Sequence, residues 1–169
     1  MDPIVKLEKK YLSLLQEAQR RQLPDQDNIR LCFQTLSLAS AIDRDCASLL
    51  APHALSEGRF VMLFLLDAAS EGLAPNELAE KAGVTRATVT GLLNGLEREC
   101  LIERQTDASD GRALRIQLTP HGQQVARMVF EQHSHWIAGL FGNLSTAERT
   151  QLALLLDKVA ANVTSAQKE

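Results

Sequence analysis

Apolar residues recur every three or four positions along most of the chain, and only once does this spacing give way to strict alternation. The first helical pattern puts Ile4, Leu7, Tyr11, Leu14, Leu15 and Ala18 on one face and stops at the polar stretch RRQLPDQDN around Pro24. A long helix is expected over 29–50. Along it Cys32, Leu36, Ala39, Asp43, Cys46 and Leu50 form a stripe that Ile29, Phe33, Ile42 and Leu49 broaden. A stripe of that width implies contact with more than one neighbouring element.

Ser56 is a good N-cap for the strongly apolar helix EGRFVMLFLLDAAS. In the following helix, PNELAEKA, Pro75 suits the first position and Gly83 the residue after the end. Only GVT separates it from RATVTGLLNGLERE, and two helices joined by so short a turn form a helix-turn-helix. The alternating segment comes next. Leu114, Ile116 and Leu118 face one way, Arg115, Gln117 and Thr119 the other, and DASDG at the tip is rich in turn formers. Thr119-Pro120 then caps a helix to about Phe141. Ser145 to Glu148 forms a capping box for a last helix that should bury Leu152, Leu155, Leu156, Val159 and Val163. The fold class is therefore mainly α: a winged helix-turn-helix with one β-hairpin wing, flanked by N- and C-terminal dimerisation helices. The divisions fall at 1–52, 53–119 and 120–169.

A chain of 169 residues with 45% hydrophobic and 23% charged residues is an ordinary globular protein of one domain, with or without dimerisation arms. Its net charge of −3 gives no global basic signature, so nucleic-acid binding has to come from a local patch. The N-terminus lacks the apolar stretch of a signal peptide, and the run 60–66 is too short to span a bilayer, so a cytoplasmic location and no membrane partner are expected. Three cysteines without CxxC spacing imply no disulfide framework. His53, His121, His133 and His135 are scattered, and there is no GxGxxG, phosphate-binding loop or nucleophile elbow. No enzyme, cofactor or metal site is implied.

On the second helix of the motif Val89, Leu92, Leu93 and Leu96 must face the core. Ala87, Thr90, Gly91, Asn94 and Arg98 look outward, with Arg86 and Thr88 flanking the N-terminus. The N-terminal part of such a helix enters the major groove of double-stranded DNA. Thr88 and Thr90 suit phosphates or thymine methyls, Asn94 suits adenine, and Arg86 suits guanine or a phosphate. Gly91 and Gly95 are expected on the outward side, either for close backbone approach or as tolerated substitutions at roughly 1 kcal/mol each. At the wing tip Arg112 can enter a narrow minor groove, with Asp110 placed to hold its guanidinium.

NELAEKAGVTRATVTGLLNGLERECLIER and DASDGRALRIQLTPHG resemble the MarR family of transcription regulators, the second matching its D-x-x-D-x-R wing and L-T-x-x-G. The resemblance runs from about Ile29 to Val163. It implies a homodimeric, ligand-responsive DNA-binding regulator, a repressor that grips a pseudo-palindromic operator with two wings and is released by a small aromatic, phenolic or carboxylate effector. Gly91 and Gly111 stand where the family often has arginine, and Cys100 where it usually has glycine; Cys100 must adopt a left-handed conformation or alter the turn. Phe33, Arg59, Phe60 and Leu63 are the candidates for an effector cleft, aromatic walls beside a cation. DNIRLCFQTL resembles the start of the family's thiol-based peroxide sensors, which makes Cys32, near a helix start and close to Arg30, a redox candidate. A winged-helix protein-interaction module without DNA is the alternative from another class.

Overall fold

Each break in the apolar pattern becomes a boundary between elements in the structure, a computed structural model that describes residues 7–106 and 114–165. The elements are α1 (Lys9–Arg20), α2 (Gln26–Leu50), a 3-10 turn (Ala51–His53), α3 (Glu57–Asp67), α4 (Pro75–Ala82), α5 (Arg86–Arg98), β1 (Ile102–Thr106), β2 (Leu114–Leu118), α6 (Pro120–Leu140) and α7 (Thr146–Ser165). Ser56, Thr119 and the Ser145–Glu148 box cap helices as the sequence announces, and Thr85 is a further cap. Ser56 Oγ accepts from the Arg59 amide, Thr85 Oγ1 from the Thr88 amide and Thr119 Oγ1 from the Gly122 amide. Ser145 and Glu148 bond each other's backbone amides reciprocally.

The core gathers around α3. Phe60, Met62, Leu63 and Leu66 pack with Leu78 of α4, with Val89, Leu93 and Leu96 of α5, and with Ile116 of β2 and Val129 of α6. β1 and β2 pair antiparallel, with Ile102 opposite Leu118 and Arg104 opposite Ile116. A third segment joins them, as Leu73 exchanges both backbone hydrogen bonds with Ile116, at 3.0 and 2.9 Å. Gly72 makes this possible: its φ is +74°, and a Cβ there would strike the Ile116 carbonyl.

The junction after α5 is built with equal closeness. Cys100 takes the left-handed conformation, φ 55°, where its side chain is strained. The Leu101 carbonyl accepts from the Thr119 amide at 3.1 Å, and the Thr119 hydroxyl donates to the Cys100 carbonyl at 2.8 Å. Gly122 lies against the Leu101 carbonyl so closely that any Cβ would collide with it.

The terminal helices depart from expectation. Leu155, Leu156, Val159 and Val163 of α7 are exposed rather than buried, and Leu152 is half-buried, because no other element of the chain packs extensively on α7. On the expected stripe of α2, Leu36 is exposed and only Cys46 and Leu50 are buried. Leu14, expected on the inner face of α1, is also exposed. α1 is held to α2 by Tyr11 stacked on Phe33 at 5.0 Å and by Arg44 paired with Glu8 at 3.0 Å. Hydrogen bonds from Lys10, Arg44 and Ser40 hold the Glu8 carboxyl far below the usual carboxylate range, at about 2. Among the described residues no single helix is long and apolar enough to cross a membrane.

Two substitutions at the α5–β1–α6 junction should act in opposite directions. Cys100→Gly relieves the left-handed strain and should stabilise by about 0.5–1 kcal/mol. Gly122→Ala must push α6 from Leu101 and should destabilise by about 1–3 kcal/mol. Urea denaturation at one fixed protein concentration checks both, and equal midpoints would contradict the junction as described.

Candidate nucleic-acid interface

The orientation of α5 is set from behind. Val89 and Leu96 are fully buried and Leu93 is 1% exposed, so the helix cannot rotate without exposing the core. Its outer face then presents Arg86, Ala87, Thr88, Thr90, Gly91, Asn94 and Arg98 to solvent, as the sequence implies. Arg86 has no ion-pair partner among the described residues, which leaves its charge available. Thr88 shares a hydroxyl hydrogen bond with the cap residue Thr85 at 2.9 Å. The Thr90 hydroxyl donates back to the Arg86 carbonyl at 3.0 Å. With that proton committed, Thr90 offers its methyl and an acceptor outward, a surface suited to a thymine methyl and not to a phosphate, which only accepts. Asn94 is also engaged: Arg104, from the middle of β1, donates to its Oδ1 at 2.6 Å and pairs with Glu97 at 3.1 Å. Nothing in the pattern of β1 singles Arg104 out, so sequence reasoning missed it. Asp110 and Arg112 lie outside the described residues.

The two glycines of α5 differ, and one expectation is corrected. Gly91 faces open space, with nothing within 4 Å of where a Cβ would stand, whereas Gly95 is buried against α3 and not outward. The guanidinium of Arg59 lies over Gly95, in the space a Cβ would take, and donates to the Ala54 carbonyl at 3.1 Å.

That placement breaks up the expected effector cleft. Arg59 is turned to α5, Phe60 is buried towards α6, and Leu63 is fully buried in the core. Phe33 stacks on Tyr11, about 20 Å along α2 from the level of Cys46. The aromatic cluster that does form had no sequence signal. Phe60 meets the His133 ring at 4.5 Å, and His133 meets Trp136 at 5.3 Å. Cys46 Sγ lies 3.5 Å from His133 Nε2. Burial holds the His133 imidazole below its ordinary pKa, against an opposing pull from Glu57, and burial pushes the Cys46 thiol up. Cys32 is exposed but lacks the setting a reactive thiolate needs. α2 starts at Gln26, so Cys32 lies in its second turn, beyond the first-turn amides that favour an anion.

A helix-turn-helix followed at once by an antiparallel hairpin, with a third segment pairing on it, is a winged helix. The chain belongs to the MarR family of transcriptional regulators. Residues 55–114 match the MarR family model. The chain is 30% identical over 148 residues to the transcriptional repressor YetL of Bacillus subtilis, covering 87% of this chain and 89% of that protein. It is 26% identical to the transcriptional repressor MprA of Escherichia coli, over 83% of this chain and 78% of that one. Among solved structures, MepR of S. aureus in complex with DNA is similar with a TM-score of 0.66 and 26% identity, over 78% of this chain and 96% of that chain.

Gly91→Ala should stabilise by about 0.5–1 kcal/mol, the helix propensity gained at an open site. Gly95→Ala should gain less, because the Arg59 guanidinium must leave and its bond to Ala54 is lost. Thermal denaturation of the two variants side by side reads the difference, and equal gains would mean that Arg59 does not lie over Gly95.

Proposed function

We propose that the protein is a homodimeric repressor that occupies a pseudo-palindromic operator and is released by a small phenolic effector. The observation that carries the DNA reading is the two-sided character of α5, whose inner face is locked in the core while its outer face is polar and lies beside the wing strands. Arg86, Thr88, Thr90 and Asn94 then read or position the major groove, and Asp110 and Arg112 at the wing tip serve the adjacent minor groove. The names of YetL and MprA as repressors, and the MepR complex with DNA, support the same direction.

A second copy supplies what the single chain lacks. Leu154, Leu155, Leu156, Val159 and Val163 on α7, with Ile137 and Phe141 on α6 and Leu31, Leu36 and Leu38 on α2, form exposed apolar surface on the terminal helices. Burying such surface drives association. Two winged helices in a two-fold dimer address half-sites about 10 base pairs apart. In DNA-binding proteins of this kind the cytoplasm is the working compartment.

For the effector, the chemistry of the aromatic cluster favours a phenol over a carboxylate. Arg59, the cation expected to hold a carboxylate, is occupied by Ala54. The polar group among Phe60 and Trp136 is an imidazole whose pKa burial lowers, and an imidazole in its neutral form exchanges hydrogen bonds with a phenolic hydroxyl.

Fluorescence anisotropy on the DNA upstream of the protein's own gene should show selective binding that weakens steeply with salt. Arg86→Ala should lower the slope of log affinity against log salt by about one. Binding that is equally weak on random DNA would overturn the operator reading. Phenols without a carboxylate should change the fluorescence of Trp136, the only tryptophan, and release DNA, with both responses reduced in His133→Ala. A full response in that variant would remove the cluster from the effector site.

A further inference from the structure

We propose that Arg104 is a positioning residue that sets the base preference of the recognition helix, by turning Asn94 into a hydrogen-bond donor that selects guanine rather than adenine. The inference rests on the operator-binding reading above. An asparagine reads adenine with both ends of its amide: Oδ1 accepts from N6–H and Nδ2 donates to N7. Here Arg104 Nη2 lies 2.6 Å from Oδ1. Arginine carries five donors and no acceptor, so only the oxygen can face it, and the amide orientation follows from chemistry. The bond is short and charge-assisted.

Two consequences follow for the groove. The guanidinium takes one lone pair of Oδ1 and sets a positive charge beside it, so the electropositive amino group of adenine would meet a cation next to the acceptor it needs. Nδ2, with two hydrogens and no partner among the described residues, points its donors away from Arg104. Guanine presents two adjacent acceptors, N7 and O6, which suit such a donor.

Arg104 itself is not placed as a phosphate ligand. Its Nε pairs with Glu97 Oε2 at 3.1 Å, so its charge is compensated on α5, and its side chain is only 29% exposed. The same pair of contacts joins the wing strand to the recognition helix, with β1 holding Asn94 and Glu97 one turn apart on α5. This supplies the preorganisation that a base-reading side chain needs.

The test is selection of operator fragments randomised at each base pair by the full-length protein, followed by affinity measurement at several salt concentrations. Wild type, Asn94→Ala, Arg104→Met and Arg104→Lys are compared. One position per half-site should favour guanine over adenine by about five- to 150-fold, and that preference should vanish in Asn94→Ala. Arg104→Met should lose the guanine preference or move it to adenine, with the salt slope unchanged. Arg104→Lys, which keeps one cationic donor, should retain part of it, and it carries the test if Arg104→Met fails to fold by circular dichroism. Adenine at the Asn94-dependent position of wild type would overturn the proposal. A fall of about one in the salt slope of Arg104→Met with base preferences intact would also overturn it, making Arg104 a phosphate contact. Selectivity that depends on Arg86 and Thr90 but not on Asn94 removes this proposal alone, whereas absence of any selectivity in wild type removes the operator reading and this proposal with it.

Discussion

The N-terminus of α6 lies against the carbonyl of Leu101 so tightly that residue 122 has no room for a side chain, and that contact fixes α6 against the winged helix. The Thr119 amide donates to Leu101, the Thr119 hydroxyl donates to the Cys100 carbonyl, and the Gly122 amide donates to that same hydroxyl. One threonine thus caps α6 and fastens it to the turn, Cys100 and Leu101, that joins α5 to β1. The L-T-x-x-G motif is legible physically: leucine for the core under the sheet, threonine for the cap, glycine for the approach. Because α6 also carries part of the exposed apolar surface, the position of α5 relative to any partner subunit is fixed through this junction.

α3 supplies the second constraint, by facing two ways. Arg59 reaches forward over Gly95 of α5, and Phe60, the next residue, reaches back to His133 of α6. A helix turns about 100° per residue, so consecutive side chains serve different neighbours. Arg59 and Phe60 therefore cannot wall one cleft, which is why the sequence-based grouping of aromatic walls and a cation did not assemble. The cation props the recognition helix, and the aromatic ring joins the polar cluster between the helical layers.

The elements themselves were readable because their signals are local. Ser56 and Thr119 announce helix starts, Gly83 a helix end, and Ile116 and Leu118 a strand face. What escaped depends on contacts between distant segments. The Leu73–Ile116 pairing is one residue long and has no period. Gly91 and Gly95 are one turn apart and were assigned the same face, yet they straddle the edge of the apolar sector, so that one is open and the other buried. For α7 the apolar spacing identified a helix correctly, but spacing reports that a face wants cover without saying which chain provides it. The same limit applies to Asn94: its exposure could be read from the helix face, whereas the engagement of its oxygen depends on a strand that begins after the turn at Cys100.

On the proposed function, coupling between an effector and DNA would follow from the way α3 is held. A ligand can shift the protein between states only through its differential affinity for them. The proposed phenol, inserting between Phe60 and His133, would favour a state in which α3 and α6 stand further apart. α6 is tied at its N-terminus to Leu101, so its first turn cannot retreat without moving the wing. α3 is tied through Arg59 to Gly95, so its displacement presses on the middle of α5. Either element would therefore transmit the separation to the outer face of α5, most rigidly at Gly122, where backbone leaves no space for a side chain. The proposed dimer, with two recognition helices matched to half-sites about one helical turn apart, would be sensitive to such a shift, because both subunits would move and the errors would add across the two-fold axis. On that reading, release of DNA would need only a small rotation of α3 or α6, with no unfolding of the winged helix.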